Sequence, residues 1–402
     1  MASIMASLAI FPAAAHANGF DLPDHDAFAV GRGMAFVATA DNPSAVYYNP
    51  AGLTQLSGHE VRAGLYGLHL DVSFESPAGR SANNEREWHA IPQLFYSYTP
   101  EKFPIAFGLG AYSPFGLSSE WPEDTGFRTV ATKADLRYWT LSPVAAWRIM
   151  PSLSVAAGLT LNYSETDLRQ GLTPLPGNDE FRFEGDGTDV GFNLGVLWRV
   201  HPKVQFGATY RSQTTVDFEG STKARLPGLA AEVDAVAEFP FPQKAIVGVS
   251  YRPTPAWNLE VNVDWTDWSR LNTVWIKQET PPLPFIPANV PLVLDWESSF
   301  YYEFGATRYF ENGWGISAGY IYNENSVPDA TYSPLVADLD RHVLSLGVSH
   351  RAGRLQFDAA YQFVYGPTRE VEGSALTAAG ESADGKYEFF SHAFSVSMGW
   401  RF

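Results

Sequence analysis

From residue 58 onward the chain alternates. Leu153, Val155, Ala157, Leu159, Leu161 and Tyr163 are apolar or aromatic, and Ser154, Ala156, Gly158, Thr160, Asn162 and Ser164 between them are small or polar. The same spacing sets Val190, Phe192, Leu194, Val196, Trp198 and Val200 against Gly191, Asn193, Gly195 and Arg199, and Leu355, Phe357, Ala359, Tyr361, Phe363 and Tyr365 against Gln356, Asp358, Ala360 and Gln362. A period of two is the mark of a strand with two unlike faces. In a soluble sandwich the polar face meets bulk water and is rich in Lys, Glu and Thr; here it is rich in Gly, Ala, Ser and Asn with scattered charges. Small polar residues suit a crowded interior, so the greasy face points outward. Aromatics gather near the ends of the rows, as in Trp314 and Tyr322 or Tyr361 and Tyr365, where membrane girdles sit.

The connections alternate in length. Short ones fall at 99–103, 150–152, 201–202, 253–255, 310–313 and 352–353, and long ones at 76–87, 116–131, 165–187, 219–242, 270–295, 324–340 and 366–386. Short turns at one end and long loops at the other predict an all-β transmembrane antiparallel barrel of about fourteen strands over 58–402. Closure also removes sheet edges, which lipid does not tolerate. The last row, Phe394, Val396, Met398, Trp400 and Phe402, has Ser395, Ser397, Gly399 and Arg401 on its other face. An alternating strand with a terminal aromatic resembles the assembly signal of bacterial outer-membrane proteins.

Ahead of the barrel, 18–57 is rich in Ala, Gly, Asp, Asn and Pro without sustained alternation. The alternatives are a disordered leader and a hatch folded inside the lumen. Residues 1–17 end on Ala15-His16-Ala17, an A-x-A cleavage pattern after an apolar run, and predict a signal peptide. The positive n-region is missing from Met1 to Ser7, so a start placed too far downstream and a buried helix start both stay open.

Composition sharpens this picture. A mean hydropathy of -0.14 and the lack of any apolar run near 18 residues exclude a helical membrane protein but not a barrel. Aromatics are 14% of the chain while charged residues are only 18%, low for a soluble surface of this size. A formal net charge of -17 excludes nucleic acid as a partner, because phosphate binding needs clustered Lys and Arg. The lack of cysteine rules out a disulfide framework and thiolate chemistry.

No motif demands an enzyme, a metal or a cofactor. Gly315-Ile316-Ser317-Ala318-Gly319 matches the nucleophile-elbow string, but Trp314, Ile316, Ala318 and Tyr320 alternate straight through it, which makes Ser317 a lumen-facing strand residue. Gly185 to Asp189 lacks the spacing and closing Glu of a calcium loop, and His59-Glu60 lacks the second His of a zinc helix. Arg137, Arg211, Glu260, Asp264, Glu303 and Arg308 read as inward charges that form a lumen network, or else a ligand relay. Within 220–243, Leu229, Val233 and Val236 fit a short amphipathic helix, followed by Phe239 and Phe241; the segment is either an ordinary exposed loop or an apolar capture site. Ser113-Pro114 closes an alternating run, and Pro there removes a ladder hydrogen bond, with Gly108, Gly110 and Gly116 adding backbone freedom.

Gly19-Phe20-Asp21-Leu22, then Gly31-Arg32, then Asn49-Pro50-Ala51 directly before the barrel resemble, in order and near-identical spacing, the hatch of the FadL family of outer-membrane long-chain fatty acid transporters. Phe107-Gly108-Leu109-Gly110 and Phe115 to Glu120 look like that family's third strand and following loop. With the strand count and Phe402, the resemblance covers nearly the whole mature chain. It implies passive uptake of fatty acids or related hydrophobic compounds, with a hatch site at Phe20, Leu22, Phe28, Gly31, Arg32, Asn49, Pro50 and Ala51. It also implies a lateral opening at Gly108, Gly110, Tyr112, Ser113, Pro114, Phe115 and Gly116. Relatives of the family import neutral aromatic hydrocarbons. A carboxylate substrate wants a basic contact, for which Arg169 is an approximate counterpart. The implied partners are a hydrophobic small molecule and the surrounding outer-membrane lipid and lipopolysaccharide of a Gram-negative bacterium, around a monomer. A structural or adhesive barrel with a permanently shut lumen is the alternative from another class.

Overall fold

A computed structural model describes residues 19–85 and 88–402, so the expected signal peptide lies outside the described residues. The alternating rows become the wall of a closed antiparallel barrel. Its strands are β1 (Gly58–Glu75), β2 (Trp88–Thr99), β3 (Ile105–Tyr112, resuming at Gly116–Glu120), β4 (Lys133–Met150), β5 (Leu153–Gln170), β6 (Glu180–His201) and β7 (Val204–Arg211, then Thr214–Leu226). They continue as β8 (Leu229–Phe241, then Lys244–Tyr251), β9 (Trp257–Thr266, extended by Thr273–Gln278), β10 (Ser299–Tyr309), β11 (Trp314–Asn323), β12 (Arg341–Ala352), β13 (Leu355–Val371) and β14 (Gly385–Arg401). The seam closes where β1 pairs β14, from Glu60 opposite Arg401 to Glu75 opposite Lys386. Each strand of the wall thus pairs with a neighbour on both sides, with an interruption at the break described below, and the sheet closes on itself.

The face assignment follows the pattern. Phe192 is 44% exposed and Val396 55%, whereas Asn193 and Ser395 beside them are buried. Two inward charges are corrected: Arg137 and Arg308 lie on the outer face, Arg137 beside Asp135 at 3.2 Å and Arg308 against the Trp257 and Phe310 rings. Both sit near strand ends, where a cation reaches water past the apolar band. Arg211, Glu260, Asp264 and Glu303 do face inward.

The segment at 220–243 is corrected as well. No helix forms; β7 and β8 run on as a hairpin, Leu226 opposite Leu229, around Gly228 at φ 82°. The pair Pro227-Gly228 makes a tight turn, and Leu229 to Phe241 alternates with period two, which suits a strand paired along its length.

Residues 19–57 fill the lumen as a hatch of short turns: α1 (Ala27–Val30), α2 (Ala45–Tyr48) and a 3-10 turn at Pro50–Gln55. Small residues on the wall let its backbone come close. A Cβ on Gly31 would lie 2.6 Å from the Gly347 Cα, and one on Gly33 would lie 2.9 Å from the Tyr320 nitrogen. That close approach explains why the inner face is so rich in glycine.

Candidate substrate site

The hatch is fastened low in the barrel by buried charge. Arg62 of β1 donates through Nε to Asp26 at 2.8 Å and pairs Asp358 of β13 at 2.6 Å, and Asp26 caps α1. Arg32 donates to Asn258 at 2.8 Å and lies 3.6 Å from Glu260, which also accepts from the Ala38 amide at 2.7 Å and from the Thr39 hydroxyl. Asn49 donates to the carbonyls of Val37 and Val196 at 2.8 and 2.9 Å and accepts from the Ala51 amide at the start of the Pro50 turn. Phe28 packs on Phe36, and Gly31 lies on Gly347. Six of the expected hatch residues, Phe28, Gly31, Arg32, Asn49, Pro50 and Ala51, therefore hold the plug rather than face a cavity. Burial, with Arg211 and Lys244 nearby, keeps the His25 ring of the hatch well below its usual pKa, so it is neutral there.

The upper lumen is different in kind. Phe20 sits in an aromatic cage with Trp268 at 4.7 Å, Trp296 at 5.5 Å, Phe241 at 6.0 Å and Phe115 at 6.1 Å between ring centroids. Two cavities meet at this residue. One, of about 270 Å³, opens among the long loops and is lined by Leu168, Phe218, Phe239, Ile276 and Leu292. The other, of about 450 Å³, is lined by Leu22, Leu68, Leu70, Val72, Ile91 and Phe389. Phe20, Leu117, Leu136, Leu335 and Val336 border both.

The second cavity reaches a break in the wall. On β4, β3 pairs as far as Tyr112 opposite Thr140 and resumes at Gly116 opposite Arg137, so residues 113–115 face only 138 and 139, one extra residue in the manner of a bulge. On the other side, the β2–β3 ladder stops at Leu94 opposite Ala111. Residues 88–93 of β2 pair with β1 and have no ladder to 116–120, and a hydrogen bond donated by the Glu85 amide to the Glu120 carbonyl at 2.7 Å closes the break from above. The hatch tip fills part of the vacancy: Leu22 donates to the Pro114 carbonyl at 2.9 Å, and Gly116 donates to that of Phe20 at 3.0 Å. Asp21, between them, is held by Lys244, which also pairs Asp264 at 2.9 Å.

Of the expected opening, Ser113, Phe115 and Gly116 line this cavity and Pro114 contributes its carbonyl. Gly108, Gly110 and Tyr112 do not line it. A Cβ on either glycine would meet the Val46 side chain of the hatch, and Tyr112 packs on Tyr47, His25 and Phe95. The opposite lip, His89, Ala90 and Ile91, was missed. Its signal was Pro92, a residue with no N–H to give a neighbouring strand. Among the expected capture residues, Phe239 lines the first cavity, Val233 and Phe241 face the aromatic cluster, Leu229 is exposed at the tip of the hairpin, and Val236 lies exposed on the outer face. Arg169 borders the first cavity, but its guanidinium grips Asp167 at 2.6 Å. Ser317 faces inward and shares a hydrogen bond with Thr307 at 2.9 Å.

A closed barrel with an apolar outer face, a hatch seated in its lumen and a largely apolar chamber under long loops defines an outer-membrane barrel protein. Residues 8–402 match the family described as outer membrane protein transport protein (OMPP1/FadL/TodX), and the chain belongs to it. It is 22% identical to the long-chain fatty acid transport protein of Escherichia coli O6:H1 over 98% of both chains, and 23% identical to the 47 kDa outer membrane protein of Pasteurella multocida over 93% of this chain and 94% of that one. Among solved structures it is similar to a Pseudomonas aeruginosa FadL homologue, with a TM-score of 0.82 and 19% identity over 95% of this chain and 99% of the other. The Pseudomonas putida toluene transporter TodX superposes with a TM-score of 0.75 at 17% identity, over 95% and 99%. The protein is an outer-membrane transport protein of this family.

Proposed function

We propose that the substrate is captured at the loop end, enters the first cavity, passes Phe20 into the second, and leaves sideways through the break between β2 and β3 into the bilayer. The observation that carries this reading is that the second cavity reaches the break, while the hatch below it is seated on the wall by buried ion pairs. Each methylene leaving water gains about 0.8 kcal/mol, so a long acyl chain entering the membrane core gains more than about ten, and a passive monomer needs no energy source. Leu229, Val236 and the loop-tip residue Phe285, which is 90% exposed, offer first contacts for capture. A second substrate, an uncharged aromatic hydrocarbon, fits the first cavity, whose one charged liner, Arg169, is already neutralised by Asp167.

Filling the break with Ala90→Trp and Ser118→Trp together should abolish uptake of labelled fatty acid and toluene while the barrel keeps its resistance to heat in detergent. Uptake at the parental rate by a folded double variant would rule out the sideways route. A wild-type protein that takes up neither compound would favour the structural or adhesive alternative.

A further inference from the structure

The outer face holds a groove that the uptake route does not use. It measures about 670 Å³ and crosses the seam near the short turns, where Ala63 lies opposite Met398 and Leu65 opposite Val396. Two small residues, Ala63 on β1 and Ala359 on β13, lie among the large side chains of Leu65, Phe357, Met398 and Trp314, which are exposed on the lipid side of the wall. At its turn end Trp314 stacks on His350 with ring centroids 4.4 Å apart, amphipathic rings of the kind that sit at headgroup depth.

Charge around this groove differs from charge at the other end of the barrel. On the outer face toward the loops, Lys133, Arg169, Arg182, Lys223 and Lys277 each pair with a carboxylate. Near the groove, Arg308 lies on the outer face of β10, next to the strand of Trp314, and Arg354 lies in the turn that joins β12 to β13. Both are exposed, and neither has an ion pair among the described residues. In outer-membrane barrels the short turns lie on the periplasmic side, so these two cations stand at the headgroups of the inner leaflet. At about 3.3 Å per residue Ala359 is roughly 16 Å along the strand from Arg354, and half a hydrocarbon core is about 15 Å deep. A lipid whose phosphate meets the arginines thus lays its chain in the groove.

We propose that this groove is a binding site for an anionic glycerophospholipid of the inner leaflet, with Arg308 and Arg354 facing the headgroup and an acyl chain lying over Ala63 and Ala359. The bound chain bridges β1 and β14, the two strands that close the barrel. The inference stands apart from the uptake reading.

Native mass spectrometry of the full-length protein, incubated in detergent with phosphatidylglycerol or phosphatidylcholine of the same tails, tests the site. The wild type should retain one phosphatidylglycerol and bind it about 10-fold more tightly than phosphatidylcholine, the scale of a hydrogen bond to a charged group. Arg308→Gln with Arg354→Gln should remove that preference. Ala359→Trp, on a lipid-facing position where a bulky apolar residue is tolerated, should displace both lipids while the barrel keeps its resistance to heat. Equal binding of the two lipids by the wild type, undiminished retention by the Ala359→Trp variant, or a second copy of the chain crosslinked across this face in place of lipid would overturn the proposal.

Discussion

The two halves of the lumen are built from opposite materials. Below Phe20, hatch and wall are joined by buried ion pairs and by backbone groups bonded to wall side chains; above it, aromatic and aliphatic side chains surround open space. Directional polar contacts fix one seat and are expensive to leave unmade, which suits a plug that must not leak. Apolar contacts have no preferred direction and exchange readily for a greasy ligand, which suits a chamber that fills and empties. The boundary falls at the hatch tip, where Asp21 belongs to the polar system through Lys244 and its neighbour Phe20 to the aromatic one.

The comparison breaks most sharply at Arg62. Arg62→Met leaves Asp26 and Asp358 buried without their cation, a loss of about 3–5 kcal/mol of hatch seating. Amides of residues 27–55 should lose protection from hydrogen exchange and the pore should begin to conduct ions, while the barrel stays heat-resistant. An unchanged conductance would mean that charge does not hold the seat. Thr39→Val removes one partner of Glu260 and should cost about 1–3 kcal/mol by the same exchange measurement. In the upper half, Phe239→Leu should change stability by less than about 1.5 kcal/mol yet alter ligand affinity, because its ring borders the first cavity. If it loosened the hatch as much as Thr39→Val, the two halves would not be separate systems.

The seat of the hatch also carries a pH dependence. Asp24 of the hatch is pushed up to about 7, first by burial and then by Asp21. A carboxyl whose folded pKa exceeds its unfolded value binds more protons in the folded state. Its contribution to seating is therefore complete at acid pH and is lost as pH rises from about 4 to about 7. Hatch protection should fall across that window in the wild type, and Asp24→Asn should flatten the profile.

Much of this was legible in the chain. Period-two rows such as Leu153 to Tyr163 and the alternating connection lengths reported strand, face and count, because a membrane wall must be apolar on one side at every crossing. Facing failed where that requirement lapses: Arg137 and Arg308 lie near strand ends, outside the apolar band, so either face tolerates a charge. At 220–243, spacings of three and four among Leu229, Val233 and Val236 coincide with every second residue of a strand for part of the run, and helix and strand cannot be told apart there without the partner. The hatch fastenings were invisible for a simpler reason. Arg62, Asp26 and Asp358 are drawn together from distant parts of the chain, and no local pattern records such a meeting.

The seam between β1 and β14 has a consequence for the order of events during biogenesis. The amide of Ala27 donates to Ser397 on the last strand at 2.9 Å, and the anion that completes the Arg62 cluster, Asp358, comes from the strand before it. The hatch therefore has no finished berth until the last strand is in place. A chain cut short before residue 385 would have an unlocked plug as well as an open wall, so a seated plug and a closed barrel come together.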